Sequence, residues 1–206
     1  MSFPRLCLAF TVLALIVSGA QPVDRKIWLM ETAPVLVGGT WIALRWRAFP
    51  WTPLTLGLMS FFALILCAGG HWTYAQVPLG KWVQDLLHLK RNDYDRFGHF
   101  FQGVIPALAA RELLRRCTGL RSGKALFWCS VCVALAISAF YELTEWWTTL
   151  LAAPEQGAAF VGSQGDEWDA QQDMFMALCG AFLSLSLLSG VQDRQIERLP
   201  RAAAKA

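Results

Sequence analysis

Acidic residues and a histidine recur at helical spacing in three separate stretches of this sequence. Residues three, four or seven positions apart share one side of a helix. The three groups that this spacing defines are Ser138, Tyr141, Glu142 and Glu145; Asp95, His99 and Gln102; and Asp169, Asp173, Met176 and Gly180. Carboxylates and imidazoles bind divalent ions and act as general bases, so these helix faces are the candidates for chemistry.

The charge of the last third of the chain is one-sided. Between Ala125 and Asp193 there is no Lys or Arg, whereas the same 69 residues hold eight acids. Glu142 and Glu145 lie inside an apolar run, where ionisable groups are costly and usually functional. Carboxylates that lie close together in a poorly solvated place need protons, a basic partner or a metal ion. Arg91 and Arg96 are the nearest candidate bases.

A divalent metal ion is the cofactor that these side chains predict, because mixed carboxylate and imidazole ligands suit a transition ion. The spacing differs from the Glu-x-x-His pairing known in helical bundles. The expected ligands are Asp95, His99, Glu142, Glu145, Asp169 and Asp173. We expect His99, Glu142 and Glu145 to be the catalytic residues. The other residues expected to bind substrate are His71, Tyr94, Asp95, Arg96, Gln102, Tyr141, Asp166 and Trp168.

Structural alternatives stand beside these roles. Asp166, Glu167 and Glu155 could form only a solvated acidic loop. Asp173 could be an acid that the helix dipole favours at an N-terminus. His99 could be a packing residue whose nitrogens are satisfied. A purely structural role is hardest to defend for Glu142 and Glu145, because both interrupt an apolar run.

Hydropathy indicates that these helix faces lie in a membrane. The chain is 55% hydrophobic and only 16% charged, against about 25% charged in a soluble domain. The sequence therefore predicts an all-α, polytopic transmembrane bundle that forms a single integral membrane domain over residues 1–206. A spanning helix needs roughly 20 mostly apolar residues. Six candidate spans are present, at about residues 6–20, 27–44, 53–68, 98–114, 125–147 and 174–188.

The first span and the segment after the third span carry further signals. Residues 6–20 follow Arg5 and end in small residues, so they also resemble a cleaved secretory signal peptide. Residues 79–89, between the third and fourth spans, place Leu79, Trp82 and Leu86 at helical spacing. This pattern predicts a short interfacial helix on the outer leaflet.

Basic residues set the orientation. Twelve of the 18 Lys and Arg fall in segments that are inside if the N-terminus is cytoplasmic. We therefore expect a multi-pass protein of the bacterial inner membrane with both termini in the cytoplasm. His71 and the three polar faces then meet at the outer membrane face. The lipid bilayer is the expected partner, and a homo-oligomer is compatible with the sequence. The net charge of +3, without a basic stripe, does not favour a nucleic-acid partner.

Several motif classes are missing from the sequence. The six cysteines form neither a disulfide frame nor a zinc pattern, and Cys129-Ser-Val-Cys132 lies in an apolar run. No phosphate-binding glycine loop and no Gly-x-Ser-x-Gly nucleophile motif occurs. The acidic and histidine residues therefore remain the candidates for function.

Four strings along the chain resemble the YjdF-like family of bacterial inner-membrane proteins, whose function is unknown. They begin at His71-Trp-Thr-Tyr, Asn92-Asp-Tyr-Asp, Ser138-Ala-Phe-Tyr and Gly165-Asp-Glu-Trp. The resemblance covers nearly the whole chain and implies a polytopic inner-membrane protein.

A fainter resemblance reaches the VanZ-like membrane proteins. It rests on Asp95-Arg96 before His99, a later Glu, and Asp173 before Gly180-Ala181. Ala177 stands where that family's pattern has Asn. The resemblance implies that the acidic and histidine positions form one site.

Three functions are compatible with these observations. The first is metal-dependent chemistry or binding at the outer face, on a lipid head group or a cell-envelope precursor. The second is a proton- or ion-coupled carrier, since intramembrane Glu is the usual proton relay, with a homodimer supplying a second half. The third is a structural or partner-binding protein whose polar groups only hold helices together.

Overall fold

Apolar runs bounded by turn residues become α-helices in the computed structural model, which describes residues 2–151 and 163–199. Seven α-helices and no strand occur in these two ranges. The helices are α1 Phe3–Gly19, α2 Arg25–Arg45, α3 Pro53–Trp72, α4 Pro78–Leu87, α5 Tyr94–Leu113, α6 Lys124–Leu151 and α7 Asp169–Ile196. A 3₁₀ turn, Tyr74–Gln76, precedes α4, and a π-helical turn, Leu114–Thr118, continues α5. The all-α fold expected from the sequence is confirmed.

Capping residues determine where α2 and α3 begin. The Asp24 carboxylate accepts hydrogen bonds from the N–H groups of Lys26 and Ile27, at 2.7 and 3.0 Å, at the start of α2. Pro53 takes the first position of α3, where a missing N–H costs nothing. The helix boundaries thus follow local chemistry rather than hydropathy alone.

Four helices, α2, α3, α6 and α7, are long and apolar enough to cross a membrane. α1 is apolar but has 17 residues, and α5 has 20 residues with Asp95 in its first turn and Arg111 in its last. These six helices match the predicted spans in order, which agrees with the expected membrane bundle. α3 continues past residue 68 and α7 begins before residue 174, because helical hydrogen bonding extends beyond the apolar stretch. Glu155 of the predicted acidic loop lies outside the described residues.

α5 is the central helix and packs against α3, α6 and α7. Its crossing with α7 brings the two backbones together: a Cβ added at Gly103 would lie 1.8 Å from the Ala177 carbonyl oxygen. A Cβ added at Gly180 would lie 2.0 Å from the Phe100 carbonyl oxygen. Small residues allow such close helix approach in membranes. The crossing therefore sets the distance between the first turns of the two helices.

An apolar layer fills the middle of the bundle where α5, α6 and α7 pack together. Its buried residues are Val104, Ile105, Ala107, Leu108, Val131, Ala134, Ala181 and Leu185. These residues lie midway along their helices, so the layer separates the polar residues at the two ends of the bundle. We call the end with the first turns of α5 and α7 the site end.

α1 and α4 lie at the periphery. α1 buries only Cys7 and Ser18, and the Ser18 hydroxyl accepts a hydrogen bond from Trp28 Nε1 at 3.0 Å. Uncleaved span and signal peptide both stay predictions for this segment. α4 covers nearly the same residues as the predicted interfacial helix, and it exposes Trp82 and Leu86.

Candidate functional site

The polar faces predicted from helical spacing meet at the site end of the bundle. α5 and α7 both begin at this end, and α6 returns to it, so their acidic turns lie side by side. The side chains that come together there are Asp95, His99, Glu142, Glu145 and Asp173, which we call the His99 cluster. The predicted convergence of separate stretches of sequence is therefore present in the structure for these five residues.

His99 is the centre of this cluster. Its Nε2 lies 3.4 Å from Glu142 Oε1 and 3.6 Å from Asp95 Oδ1. The three side chains are between 5% and 9% exposed, so bulk water screens them little. The Tyr141 ring packs edge-on to the imidazole, with centroids 5.9 Å apart, and restricts its rotation.

Two triads of ligand atoms share His99. One consists of Asp95, His99 and Asp173, and the other of His99, Glu142 and Glu145. In each triad, one nitrogen or carboxylate oxygen per residue lies within 4.8 Å of the others. Atoms at this separation can face one ion after small side-chain rotations, so either triad can supply three ligands.

Several buried atoms of the cluster lack a hydrogen-bond partner within the described protein. In the cluster they are His99 Nδ1, Glu142 Oε1 and Asp173 Oδ1. The neighbouring Ser138 Oγ also has no partner, whereas the Gln102 side chain contacts the imidazole of His99. Buried polar groups in native proteins are normally paired, so partners other than the described protein atoms, such as water or a ligand, are expected here.

Two arginines, one just before α5 and one in its first turn, tie this end of α5 to the start of α7 and to the segment before it. Arg91 Nη1 donates to Asp169 Oδ1 at 2.5 Å, and Arg96 Nη2 donates to Asp166 Oδ2 at 2.6 Å. The Trp168 N–H, followed by the Arg96 and Arg91 guanidiniums, holds the pKa of Asp166 below its usual range. No ion pair in the described ranges joins Asp95, Glu142, Glu145 or Asp173 to a Lys or Arg. The predicted basic partners thus pair with acids beside the cluster.

Eight of the predicted site residues lie outside the cluster; besides Arg96, Gln102, Tyr141 and Asp166, described above, they are His71, Tyr94, Trp168 and Asp169. Asp169 was expected as a metal ligand, but its described partner is Arg91. His71 Nδ1 lies 2.8 Å from the Ser18 carbonyl oxygen, and the Tyr94 hydroxyl donates to the Ile65 carbonyl oxygen at 3.1 Å. Trp168 is exposed. These contacts hold α1, α3, α5 and α7 in place around the cluster.

Glu31 of α2 was not among the predicted site residues. It is 1% exposed, and its Oε2 accepts a hydrogen bond from the Tyr141 hydroxyl at 2.7 Å. The bond fixes the tyrosine that packs on His99. The available signal was an acid inside the second predicted span, which alone does not reveal its partner on α6.

A second buried polar group, at the end opposite the site end, was also missed. Glu112 accepts hydrogen bonds from the Thr52 N–H, the hydroxyls of Thr52 and Thr55, and Arg116 Nη1, at 2.7 to 3.0 Å. Both carboxylate oxygens are therefore paired. This arrangement holds α3 and α5 together and leaves no free ligand atom on Glu112.

The fold and the cluster together define a polytopic α-helical membrane protein with buried acids and a histidine at one end. The chain belongs to the family described as predicted membrane protein (DUF2238), whose model matches residues 3–194. It is 48% identical over 187 residues to the inner membrane protein YjdF of Escherichia coli (strain K12), covering 90% of this chain and 88% of that protein. No solved structure matches the chain. The YjdF-like resemblance is confirmed, and the VanZ-like one stays a prediction.

Proposed function

We propose that this protein binds a divalent transition ion in the His99 cluster and uses it on a lipid head group or a cell-envelope precursor. The spacing around one nitrogen carries the proposal: His99 Nε2 lies 3.4 Å from Glu142 Oε1 and 3.6 Å from Asp95 Oδ1. These separations exceed those of ordinary hydrogen bonds. Ligand atoms about 2.0–2.2 Å from a tetrahedral ion are roughly 3.4 Å apart, which is close to the observed spacing.

The charge of the cluster supports the same proposal. Four carboxylates lie around a single histidine, at a place where burial penalises the ionised form. A divalent cation would offset that penalty and supply partners for the unpaired Glu142 and Asp173 oxygens.

In the proposed site, one triad binds the ion and the remaining carboxylates accept protons. With an ion held by Asp95, His99 and Asp173, the carboxylates of Glu142 and Glu145 are left to take up protons. A bound ion supplies Lewis-acid activation of water or of a substrate oxygen. The hydrogen bond between Tyr141 and Glu31 keeps the ring beside His99 in one orientation.

The proposed location follows from charge distribution. The positive-inside rule assigns the basic end of α5 and the start of α6 to the cytoplasm. The site end then faces outward across the inner membrane, and both termini lie inside. Lipid head groups and envelope precursors are the substrates that meet this face.

The other two functions have less support. A carrier needs a polar route across the bundle, and the apolar layer between the ends interrupts one in this conformation. A purely structural role would leave the atoms of Glu142, Asp173 and His99 paired with protein groups, as the two carboxylate oxygens of Glu112 are. Ion- or pH-dependent flux in proteoliposomes would instead support the carrier function.

Metal analysis of the purified full-length protein tests the proposal. We expect about one divalent ion per chain, and thermal melting that falls when a chelator removes it, because an ion bound only by the folded state stabilises it. His99→Gln and Asp173→Asn should each weaken ion binding by about 100-fold or more, because each removes a ligand of the triad that holds the ion. Isothermal titration with Zn²⁺ and Mn²⁺ measures the affinity.

Glu167→Gln is the matched control, because Glu167 is an exposed acid near the same end of the bundle. Its ion affinity should equal that of the unmodified protein. The two cluster variants should melt normally in chelator, which shows that they fold. The proposal is wrong if the purified protein holds no divalent ion and its melting does not respond to chelator.

A further inference from the structure

A cavity of about 710 Å³ lies between α1, α2, α3 and α5, separate from the His99 cluster. Much of its wall is apolar and includes Leu8, Val35, Ile42, Met59 and Leu66. Its volume falls in the range of about 300–1,000 Å³ that is usual for small-molecule sites. It reaches from the middle of the bundle to the end opposite the site end, where α1 begins and α2 finishes.

The cavity exists because α2 leaves the core halfway along its length. Its buried residues are Ile27, Glu31, Thr32 and Val35, and no later residue of the helix is buried. Pro34 stands at this change and cannot donate a helical hydrogen bond. Gly38 and Gly39 line the cavity beyond it, and a Cβ added to either meets no atom within 4 Å. This half of α2 therefore faces open space.

The mouth of the cavity is positively charged. Arg5 of α1 and Arg47, two residues after α2, both line it and are exposed. No acidic residue lines the cavity, and neither arginine forms an ion pair within the described ranges. Trp46 lies beside them, at a level where Trp commonly meets lipid head groups.

We propose that this cavity holds an acyl chain of one anionic phospholipid, with the phosphate bound between Arg5 and Arg47. Leu8 and Val37 are exposed on α1 and α2, so the bilayer's hydrocarbon reaches both helices that border the opening. An apolar cavity open to hydrocarbon fills with it, because close packing is favoured over empty volume. Guanidinium groups match phosphate geometry, and basic pockets between transmembrane helices bind anionic head groups. The lipid site does not depend on the proposed metal site.

Native mass spectrometry of the full-length protein in neutral detergent tests this site with dioleoyl phosphatidylglycerol. We expect one lipid per chain to be retained, and dioleoyl phosphatidylcholine to be retained much less. The double variant Arg5→Gln/Arg47→Gln should bind phosphatidylglycerol roughly tenfold to thirtyfold more weakly, because it removes two charges near the phosphate. Inorganic phosphate at millimolar concentration should not displace the lipid, since it lacks the chain.

Gly39→Leu tests whether the acyl chain occupies the cavity, because Gly39 lines the cavity and a Cβ added there meets no atom within 4 Å. It should abolish lipid retention while thermal melting in detergent stays near that of the unmodified protein. Thr40→Leu and Arg45→Gln are the matched controls, since both residues are exposed on α2 and neither lines the cavity. Both should retain the lipid.

Three outcomes would overturn the proposal. Arg45→Gln could weaken binding as much as the double variant, which would indicate general surface attraction. Gly39→Leu could retain the lipid fully, which would place the chain elsewhere. Inorganic phosphate could displace the lipid, which would indicate a site for the anion alone.

Discussion

At the scale of residues, the two polar ends differ in how their buried carboxylates are satisfied. The Glu112 carboxylate has four donors, whereas Glu142 Oε1 and Asp173 Oδ1 have none among the described residues. An unpaired buried polar group costs about 1–3 kcal/mol. The Glu112 network therefore contributes to stability, and the His99 cluster is retained at a cost that ligand binding would offset.

A pH-dependent contribution to stability is expected from Asp166, whose pKa is lowered in the folded protein by the Trp168 N–H and two guanidiniums. A lowered folded-state pKa gives stability that is present above the ordinary Asp value of about 3.9 and is lost as pH falls through the lower value. Asp166→Asn should therefore melt below the unmodified protein at pH 7, and the difference should shrink below about pH 4. Melting curves from pH 7 to pH 3 measure this.

Glu167→Gln provides the comparison for Asp166→Asn. Glu167 is exposed and forms no ion pair in the part of the chain that the structure describes. Its melting should follow the unmodified protein at every pH. A difference for Asp166→Asn that stays constant down to pH 3 would contradict the proposed linkage.

Helical spacing predicted most of the cluster because a side chain's direction repeats with the helix. It could place His99 with Asp95, and Glu142 with Glu145, without knowledge of the fold. It could not pair Glu31 with Tyr141, because 110 positions separate them and their contact depends on how two helices pack. The same limit applies to the pairing of Asp169 with Arg91, and the metal-ligand role of Asp169 stays a prediction.

At the scale of elements, the crossing of α5 and α7 determines how far apart His99 and Asp173 lie. Hydropathy predicted both helices, α7 from a long apolar run and α5 from a shorter run between its charged ends. It did not predict their crossing point. A hydropathy profile gives a glycine that packs against another helix the same value as any other glycine. Gly103 and Gly180 let the two backbones touch close to the His99 cluster.

Gly180→Ala should destabilise the protein by about 1–3 kcal/mol, because the new methyl group would meet the Phe100 carbonyl oxygen at 2.0 Å. For a chain of this length we expect the melting temperature to fall by roughly 2–10 °C. Ion affinity should also fall, since α7 must move away from α5. Thermal melting and metal titration measure the two effects.

Gly190→Ala is the control in the same helix. The nearest atom to an added Cβ there is the flexible Arg194 Nη1, at 4.0 Å. Alanine favours helix over glycine by about 1 kcal/mol, so this variant should melt at or above the unmodified protein. Equal losses at positions 180 and 190 would contradict the packing argument.

At the scale of the whole molecule, basic residues are concentrated at one end and the His99 cluster lies at the other. The basic end holds the ion pairs of Arg111 and Arg115 with Asp193. This asymmetry could be predicted from sequence counts alone, because it depends on composition between spans. The cavity beside α2 could not, since it arises from a helix that departs from its neighbours.

Cysteine labelling in spheroplasts tests the orientation. In a cysteine-free background, Glu167→Cys should react with a membrane-impermeant maleimide, and Arg121→Cys should react only after the membrane is opened. Both positions are exposed, and they lie at opposite ends of the bundle. The reverse pattern would place the His99 cluster in the cytoplasm and rule out envelope precursors on the outer face as its substrates.

The apolar layer has an electrical consequence. A dry layer carries most of the transmembrane potential, and moving one elementary charge through the full potential changes its energy by about 2.3 kcal/mol per 100 mV. The layer lies between the His99 cluster and the opposite end, so an ion that reaches the cluster from its own side crosses little of this field. Occupancy of the cluster should therefore be almost independent of membrane voltage, so that a de-energised cell and an energised one would load it equally.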